Sequence, residues 1–330
     1  MRIASAPVLA LCLGMALVCR LPAQLTAEEK AKNVESFETV WQTIRDQNPD
    51  PKLNGLDWQA IHDATRPLVE RAQSADEFRQ VIGGMLAKLA ASHHAIIPAD
   101  RYQPSPQDPM PVADEPDAGT LVRFGNLPEM RVIFESRTLP GGAGYIRFNE
   151  FLDPAAIMPK IQAAVKSFAK APGIILDLRG NPGGIGIMAM GVAGFFIDKD
   201  GLKLGEMKTR TTTLNFVIFP RPEVYSGPLA ILLDRYSAST TEILAGGLQD
   251  LGRARIFGTR SAGAALPSDI IRLPNGDGFQ YARASYTSVS GKTLEGNGVT
   301  PDVVVEESAD REHDPVIEAA DRWIGSALHP

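Results

Sequence analysis

PLAILLDRYSASTTEILAGGLQDLG, residues 228–252, runs from a buried-strand pattern into a helical one, with a serine at the junction. The strand pattern ends at Asp234 and the helical pattern covers 240–251. Ser239 opens S-T-T-E, a capping box, and capping alone would account for it. A strand that turns tightly into a helix also exposes a hydroxyl at a sheet edge. It lies beside backbone N–H groups, such as that of Thr240, that can bind a developing oxyanion. A hydroxyl attacks poorly near neutral pH unless a base takes its proton. No lysine occurs from 209 to 291 and no histidine from 236 to 266, so a base must come from elsewhere in the chain.

A second segment, GIILDLRGNPGG at 173–184, reads as a buried strand entering a loop with Gly180, Gly183 and Gly184. Glycines let backbone N–H groups approach a ligand closely. An ordinary strand-to-helix turn would look the same. Beside Ser239, however, Gly183 or Gly184 would supply the second oxyanion donor that acyl transfer needs.

Around these motifs the pattern is that of an α/β protein. Val34, Phe37, Val40, Trp41 and Ile44 recur at helical spacing, as do Trp58, Ile61, Leu68 and Val69. Ser74 begins S-A-D-E, a capping box ahead of Phe78, Val81, Ile82, Met85, Leu86 and Leu89. Three amphipathic helices form a small N-terminal bundle over 24–98. Residues 99–119, rich in Pro and Asp, read as a linker or surface loop. The core spans 120–330. Strands are predicted at 120–125, 131–136, 143–148, 173–178 and 228–233, with helices at 153–170, 184–196 and 240–251. An exposed alternating strand is predicted at 278–288 and a closing helix at 314–327. No metal-ligand spacing is present, and no cofactor is implied.

Composition limits the function. The 330 residues are 44% hydrophobic, enough for a sizeable core, and carry a net charge of −6. An acidic balance without basic clusters argues against nucleic acid as a partner. Residues 1–23 read as a signal peptide, with Arg2, a short apolar stretch over 7–19 and a small residue at Ala23. That apolar stretch is too short to span a bilayer comfortably. Both cysteines, Cys12 and Cys19, lie within this segment, so a mature chain would hold no disulfide, thiol nucleophile or cysteine metal site. A lipoprotein anchor at Cys19 matches poorly because a small residue is wanted directly before it. The expectation is an exported protein, periplasmic or secreted, with no span in the mature chain.

The motifs D-L-R-G-N-P-G-G at 177–184, D-R-Y-S-A-S-T-T-E-I at 234–243 and G-N-G-V-T-P-D at 296–302 resemble the tail-specific, or C-terminal processing, serine proteases. The resemblance covers most of 140–305. It implies a crotonase/ClpP-like α/β core, Ser239 as nucleophile and a polypeptide substrate. Well-known members pair the serine with a lysine in a G-K-G loop. Here that loop reads Ala262-Gly263-Ala264, with alanine at the lysine position, and no inserted PDZ domain fits between 96 and 142. A histidine-using branch resembles the tricorn protease core, with a Ser-His pair closing the helical region and a glutamate before G-V-x-P-D. Ser92-His93 and Glu295 match it.

The resemblance thus implies His93 as base, oriented by Glu295 and Ser92. The five histidines narrow the same way. His62 lies in an amphipathic helix, His313 in a charged loop and His329 beside the C-terminus. Only His93 and His94 end a helix ahead of an apolar run, and the sequence does not choose between them. Two other readings share the scaffold: a non-catalytic ligand- or peptide-binding protein, and a crotonase-like enzyme acting on acyl-CoA.

Overall fold

The structure, a computed structural model, describes residues 24–102, 120–122, 130–308 and 313–327. The expected leader at 1–23, most of the linker and His329 lie outside the described residues. The three N-terminal helices are α1 (Ala27–Gln47), α2 (Trp58–Arg71) and α3 (Ala75–Ala87). Each starts at a side-chain cap: Thr26, Asp57 and Ser74 accept from N–H groups three residues on. The helical-spacing residues Phe37, Val40, Ile44, Phe78, Ile82 and Met85 are buried together. Trp41 and Trp58 each donate their indole N–H to the other's carbonyl, at 2.9 and 3.1 Å.

Fourteen strands follow among the described residues: β1 (Ala95–Ile97), β2 (Thr120–Val122), β3 (Met130–Val132), β4 (Phe134–Thr138), β5 (Gly144–Phe148), β6 (Ile174–Asp177), β7 (Lys203–Lys208), β8 (Thr213–Val217), β9 (Leu229–Leu233), β10 (Arg255–Gly258), β11 (Ser268–Arg272), β12 (Gly278–Ala282), β13 (Ser285–Ser288) and β14 (Val303–Val304). The helices among them are α4 (Pro154–Ser167), α5 (Gly186–Ala193), α6 (Thr240–Asp250) and α7 (Pro315–Ala327).

The central sheet has the order β14-β10-β9-β6-β5-β4, parallel except for the edge strand β4. Helices cover both faces, which is why its strands read as continuous apolar runs. Leu229, Ile231 and Leu233 of β9 pack with Ile174 and Leu176 of β6 on the α4–α5–α6 side. Ala230, Leu232 and Ile175 face α7. Strands β6 and β9 are neighbours, with Asp177 opposite Leu232. Their carboxyl ends therefore release the glycine loop and the serine turn side by side, where sheets of this kind bind ligands.

The run 278–288 is not one exposed strand. It breaks at Arg283-Ala284, whose N–H groups both donate to Pro267 O at 2.9 and 3.3 Å. Strand β12 pairs with β1 and β11, while β13 pairs with β7 in a separate sheet with β8. Phe279, Tyr281 and Tyr286 are buried.

The break matters because the β11–β12 hairpin packs on the N-terminal helices. Leu273, Phe279 and Tyr281 complete the bundle's core. Arg79 of α3 makes a bidentate pair with buried Asp277 at 2.8 and 3.1 Å. From the other side, Arg210 at the β7–β8 turn donates to the carbonyls of Asn48 and Arg45 at the end of α1, at 2.6 and 2.7 Å. The bundle is thus held against the core at two places, and the chain leaving α3 carries Ser92 and His93 on to β1.

Candidate active site

The turn that presents Ser239 is built on Asp234. Its Oδ1 accepts from the N–H groups of Gly180, Tyr236 and Ser237 at 2.9–3.0 Å, tying the serine turn to the glycine loop. Asn181, fully buried, makes the second tie. Its carbonyl accepts from Ala238 N–H at 3.0 Å, and Thr241 Oγ1 lies 3.0 Å from both its carbonyl and its Oδ1. Ser239, at the start of α6, is held at φ 56°, ψ −118°. A non-glycine residue pays on the order of 1–3 kcal/mol for such a backbone, and here the surrounding bonds hold it there.

Glu242 supports that geometry. The capping box read from the sequence is there, with Glu242 Oε2 accepting from Ser239 N–H at 3.0 Å. The carboxylate is fully buried and reaches much further. It accepts from Ser261 Oγ (2.6 Å), Gly263 N–H (2.8 Å) and Ala264 N–H (2.9 Å), and Ala264 O takes a bond from Ser239 N–H at 2.8 Å. Burial pushes the Glu242 pKa above its ordinary value, while its four donors pull it down. The Ala262-Gly263-Ala264 loop is a backbone brace for the serine.

His93 leaves the bundle at φ 60°, a second strained non-glycine residue. Its Nδ1 lies 2.6 Å from Ser92 Oγ. Ser92 Oγ has one proton and donates it to Glu295 Oε2 at 2.9 Å. It must therefore accept from His93 Nδ1–H, which fixes the tautomer and leaves the Nε2 lone pair unprotonated. Glu295 is held by Ser92 N–H at 2.6 Å and by Ala265 N–H at 3.0 Å. Residues 264 and 265 thus join the two halves: Ala264 binds Ser239, and Ala265 binds the carboxylate behind His93. Burial lowers the His93 pKa from its ordinary value, and the Glu295 charge opposes this.

The two adjacent histidines are wired differently. His94 Nδ1 accepts from Ala282 N–H of β12 at 3.4 Å. Its buried Nε2 has no partner, and burial drives its pKa down to about 4. His62 is stacked on Phe37 between Glu38 and Asp63 inside the bundle.

The structure divides the expected oxyanion donors. Gly183 (φ 95°) lies so close to the serine turn that a Cβ on it would sit 2.8 Å from Ser239 Cβ, Ala238 O and Thr240 N. Its N–H, however, donates to Asn181 Oδ1 at 2.9 Å, so a donor role for Gly183 is corrected: it supplies close approach. Gly184 remains, with its carbonyl accepting from Thr240 Oγ1 at 2.8 Å. Thr240 is the first residue of α6, so its N–H has no intrahelical acceptor.

A serine on a strand-turn-helix junction, faced by a glycine loop and accompanied by a histidine wired to a carboxylate, has the layout of the serine hydrolases. Comparison with known proteins narrows the class. Residues 142–305 match peptidase family S41, and residues 29–87 match the tricorn protease C1 domain. The chain carries a peptidase family S41 domain over residues 142–305.

A carboxy-terminal-processing protease of Bartonella bacilliformis is 34% identical over 173 residues, 51% of this chain and 39% of that protein. A carboxyl-terminal-processing protease of Picosynechococcus sp. is 31% identical over 164 residues, 49% of this chain and 39% of its own. The chain spans about two fifths of the length of these curated relatives.

Among solved structures, the photosystem II D1 C-terminal processing protease superposes with a TM-score of 0.57 at 18% identity, covering 93% of this chain and 99% of that one. The tricorn protease superposes at 0.62 with 16% identity, over 91% of this chain and 37% of its own. At these identities the likeness is one of fold: an α/β core with an N-terminal helical region.

Proposed function

We propose that this chain is a serine peptidase in which Ser239 is the nucleophile and His93 its base. The observation that carries the reading is the unbroken line from Glu295 through Ser92 to His93 Nδ1, which leaves Nε2 as a proton acceptor.

Ser239 Oγ bonds to the scissile carbonyl carbon as its proton passes to His93 Nε2, and the carbonyl electron pair moves onto oxygen. The N–H groups of Gly184 and Thr240 hold that oxyanion. Losing one such donor is expected to cost roughly 3–4 kcal/mol. The imidazolium, stabilised by Glu295 through Ser92, gives its proton to the leaving amine as the C–N bond breaks. Water then releases the acyl group by the same steps in reverse.

The substrate is a polypeptide. The sequence of residues 1–23, outside the described residues, supports export to a periplasm or medium. No helix among the described residues is long and apolar enough to cross a membrane.

Labelling with a fluorophosphonate probe tests the reading. Wild type is expected to label, and Ser239→Ala and His93→Ala are expected not to. Labelling that survives in His93→Ala would move the base to His94. A wild type that never labels would leave the binding-protein reading.

A further inference from the structure

The sheet β1-β12-β11 has two free edges, and both edge strands start beside Glu295. Strand β1 begins three residues after Ser92 and β11 three residues after Ala265, the two residues whose N–H groups hold the Glu295 carboxylate. Both run antiparallel to β12, so both lead away from that carboxylate in the same direction.

The two edges are unequal. The β11–β12 ladder is bracketed by Arg283 N–H on Pro267 O at 2.9 Å and Leu273 N–H on Asp277 O at 2.8 Å. Bond-exchanging pairs alternate along an antiparallel ladder, so Asp269 and Ile271 turn their main-chain groups inward to β12. Ser268, Ile270 and Arg272 turn theirs outward. No strand lies on that side, and these outward groups make no hydrogen bond with another described residue. The same alternation leaves the shorter β1 with Ile96 alone turned outward. Open edges pair readily with other chains unless charge blunts them. Here Asp269 is neutralised by Arg283 at 2.6 Å, and Arg272 stands exposed only at the far end.

The edge leads out from the serine's own brace. Ala264 O accepts from Ser239 N–H, and Ser268 follows four residues later. The near end of β11 is therefore within about 14 Å of Ala264 and the far end within about 28 Å. An extended polypeptide cut at Ser239 covers that span with roughly four to eight residues.

We propose that the open edge of β11 takes an extended stretch of the polypeptide substrate as a fourth strand, several residues away from the scissile bond. The inference rests on the peptidase reading of Ser239. Main-chain groups carry such pairing, so the edge holds the substrate's backbone with little regard to its side chains. Only every second substrate residue points its N–H at the edge.

The test is cleavage of one peptide by the purified full chain, with the peptide lengthened in steps on either side of the cut. Fluorophosphonate labelling of the wild type is run beside it. Labelling reports on the serine without any peptide, so it separates the two readings. On one side, kcat/KM should rise by about tenfold or more as the peptide grows from roughly four to eight residues beyond the cut. Methylating single amide nitrogens in that stretch should lower kcat/KM by about 2- to 10-fold at alternate residues and leave those between little changed. Ile270→Pro removes one outward N–H and spares the β12 ladder, so the long peptide should lose most of its advantage over the short one. A labelled wild type whose kcat/KM ignores length, or whose methylation losses do not alternate, overturns the edge and leaves the serine standing. If Ile270→Pro keeps the length advantage and instead abolishes self-association in sedimentation, the occupant is a second copy of this chain and the substrate strand is overturned. A wild type that neither labels nor cleaves overturns both readings.

Discussion

Glu295 grips Ser92 twice, through the backbone N–H at 2.6 Å and the hydroxyl at 2.9 Å, and it is this double hold that turns Ser92 into the acceptor for His93. The carboxylate also raises the His93 pKa against the larger effect of burial. Glu295→Gln removes that support, so the His93 pKa should fall further below its ordinary value. Because the base must be unprotonated, the acid limb of the kcat/KM–pH profile should move to lower pH. The plateau should drop by about 10²–10⁴-fold, the range for general acid–base catalysis. Ser92→Ala should lower the plateau too, with partial rescue by Ser92→Thr. An acid limb that stays in place in Glu295→Gln would show that the carboxylate does not reach the base.

Ser239 sits at φ 56°, which only glycine adopts without cost. Ser239→Ala keeps the strain while Ser239→Gly releases it, and both remove the hydroxyl. The released strain, about 1–3 kcal/mol, exceeds the roughly 0.5–1 kcal/mol that glycine loses through the unfolded chain. Urea melts should therefore find Ser239→Gly more stable than Ser239→Ala by about 1 kcal/mol. A glycine variant less stable than the alanine variant would show that the turn is not strained.

Some of this was legible in the sequence, for reasons particular residues make plain. Apolar spacing located α1, α2 and α3 because each helix buries a single stripe. The runs at 173–178 and 228–233 read as buried strands because β6 and β9 are covered on both faces. What sequence could not show was reach. Glu242 reads as a local cap, and its bonds to Ser261, Gly263 and Ala264 exist only once the 258–265 segment folds back over α6. Asn181 lies between Gly180 and Pro182 in a stretch that reads as a turn, yet it is the residue that takes Gly183 N–H out of the oxyanion set. The break at Arg283-Ala284 has neither glycine nor proline to announce it. The tautomer that separates His93 from His94 depends on Glu295, two hundred residues away, and entered the reading only through a resemblance.

Gly183 is the one position where the glycine loop and the serine turn are in contact without room for a methyl group. Gly183→Ala places a Cβ 2.8 Å from backbone and side-chain atoms on the serine turn, at a φ of 95° that strains alanine even in open space. The turn has to move, and with it the distance from Ser239 Oγ to any oxyanion held by Gly184 and Thr240. A displacement of about 1 Å can cost on the order of 10²-fold in rate. Fluorophosphonate labelling of Gly183→Ala should slow by about that factor, and its urea midpoint should fall. Gly180→Ala is the control: at φ 69° it is strained too, but its Cβ meets nothing within 4 Å. It should lose stability and keep most of its labelling rate. Equal loss of labelling in both would attribute the effect to backbone strain rather than to contact with the serine.

Glu150 offers a different measurement, of stability against pH. It is fully buried just after β5, neither carboxyl oxygen has a hydrogen-bond partner, and burial alone pushes its pKa up from 4.5 to about 7. The folded state then binds the proton more tightly than the unfolded state. The stability this confers is present below pH 4.5 and is lost as pH rises through 7. A carboxyl moved that far is worth at most roughly 3 kcal/mol. Glu150→Gln cannot ionise, so the variant should gain on wild type as pH rises from 5 to 8, by about 1–3 kcal/mol in urea melts. The neighbouring Phe151 brackets the glycine loop, accepting from Ile185 N–H and donating to Gly183 O. If the difference between wild type and Glu150→Gln is the same at pH 5 and pH 8, the carboxyl has a partner or a path to water that keeps its pKa ordinary.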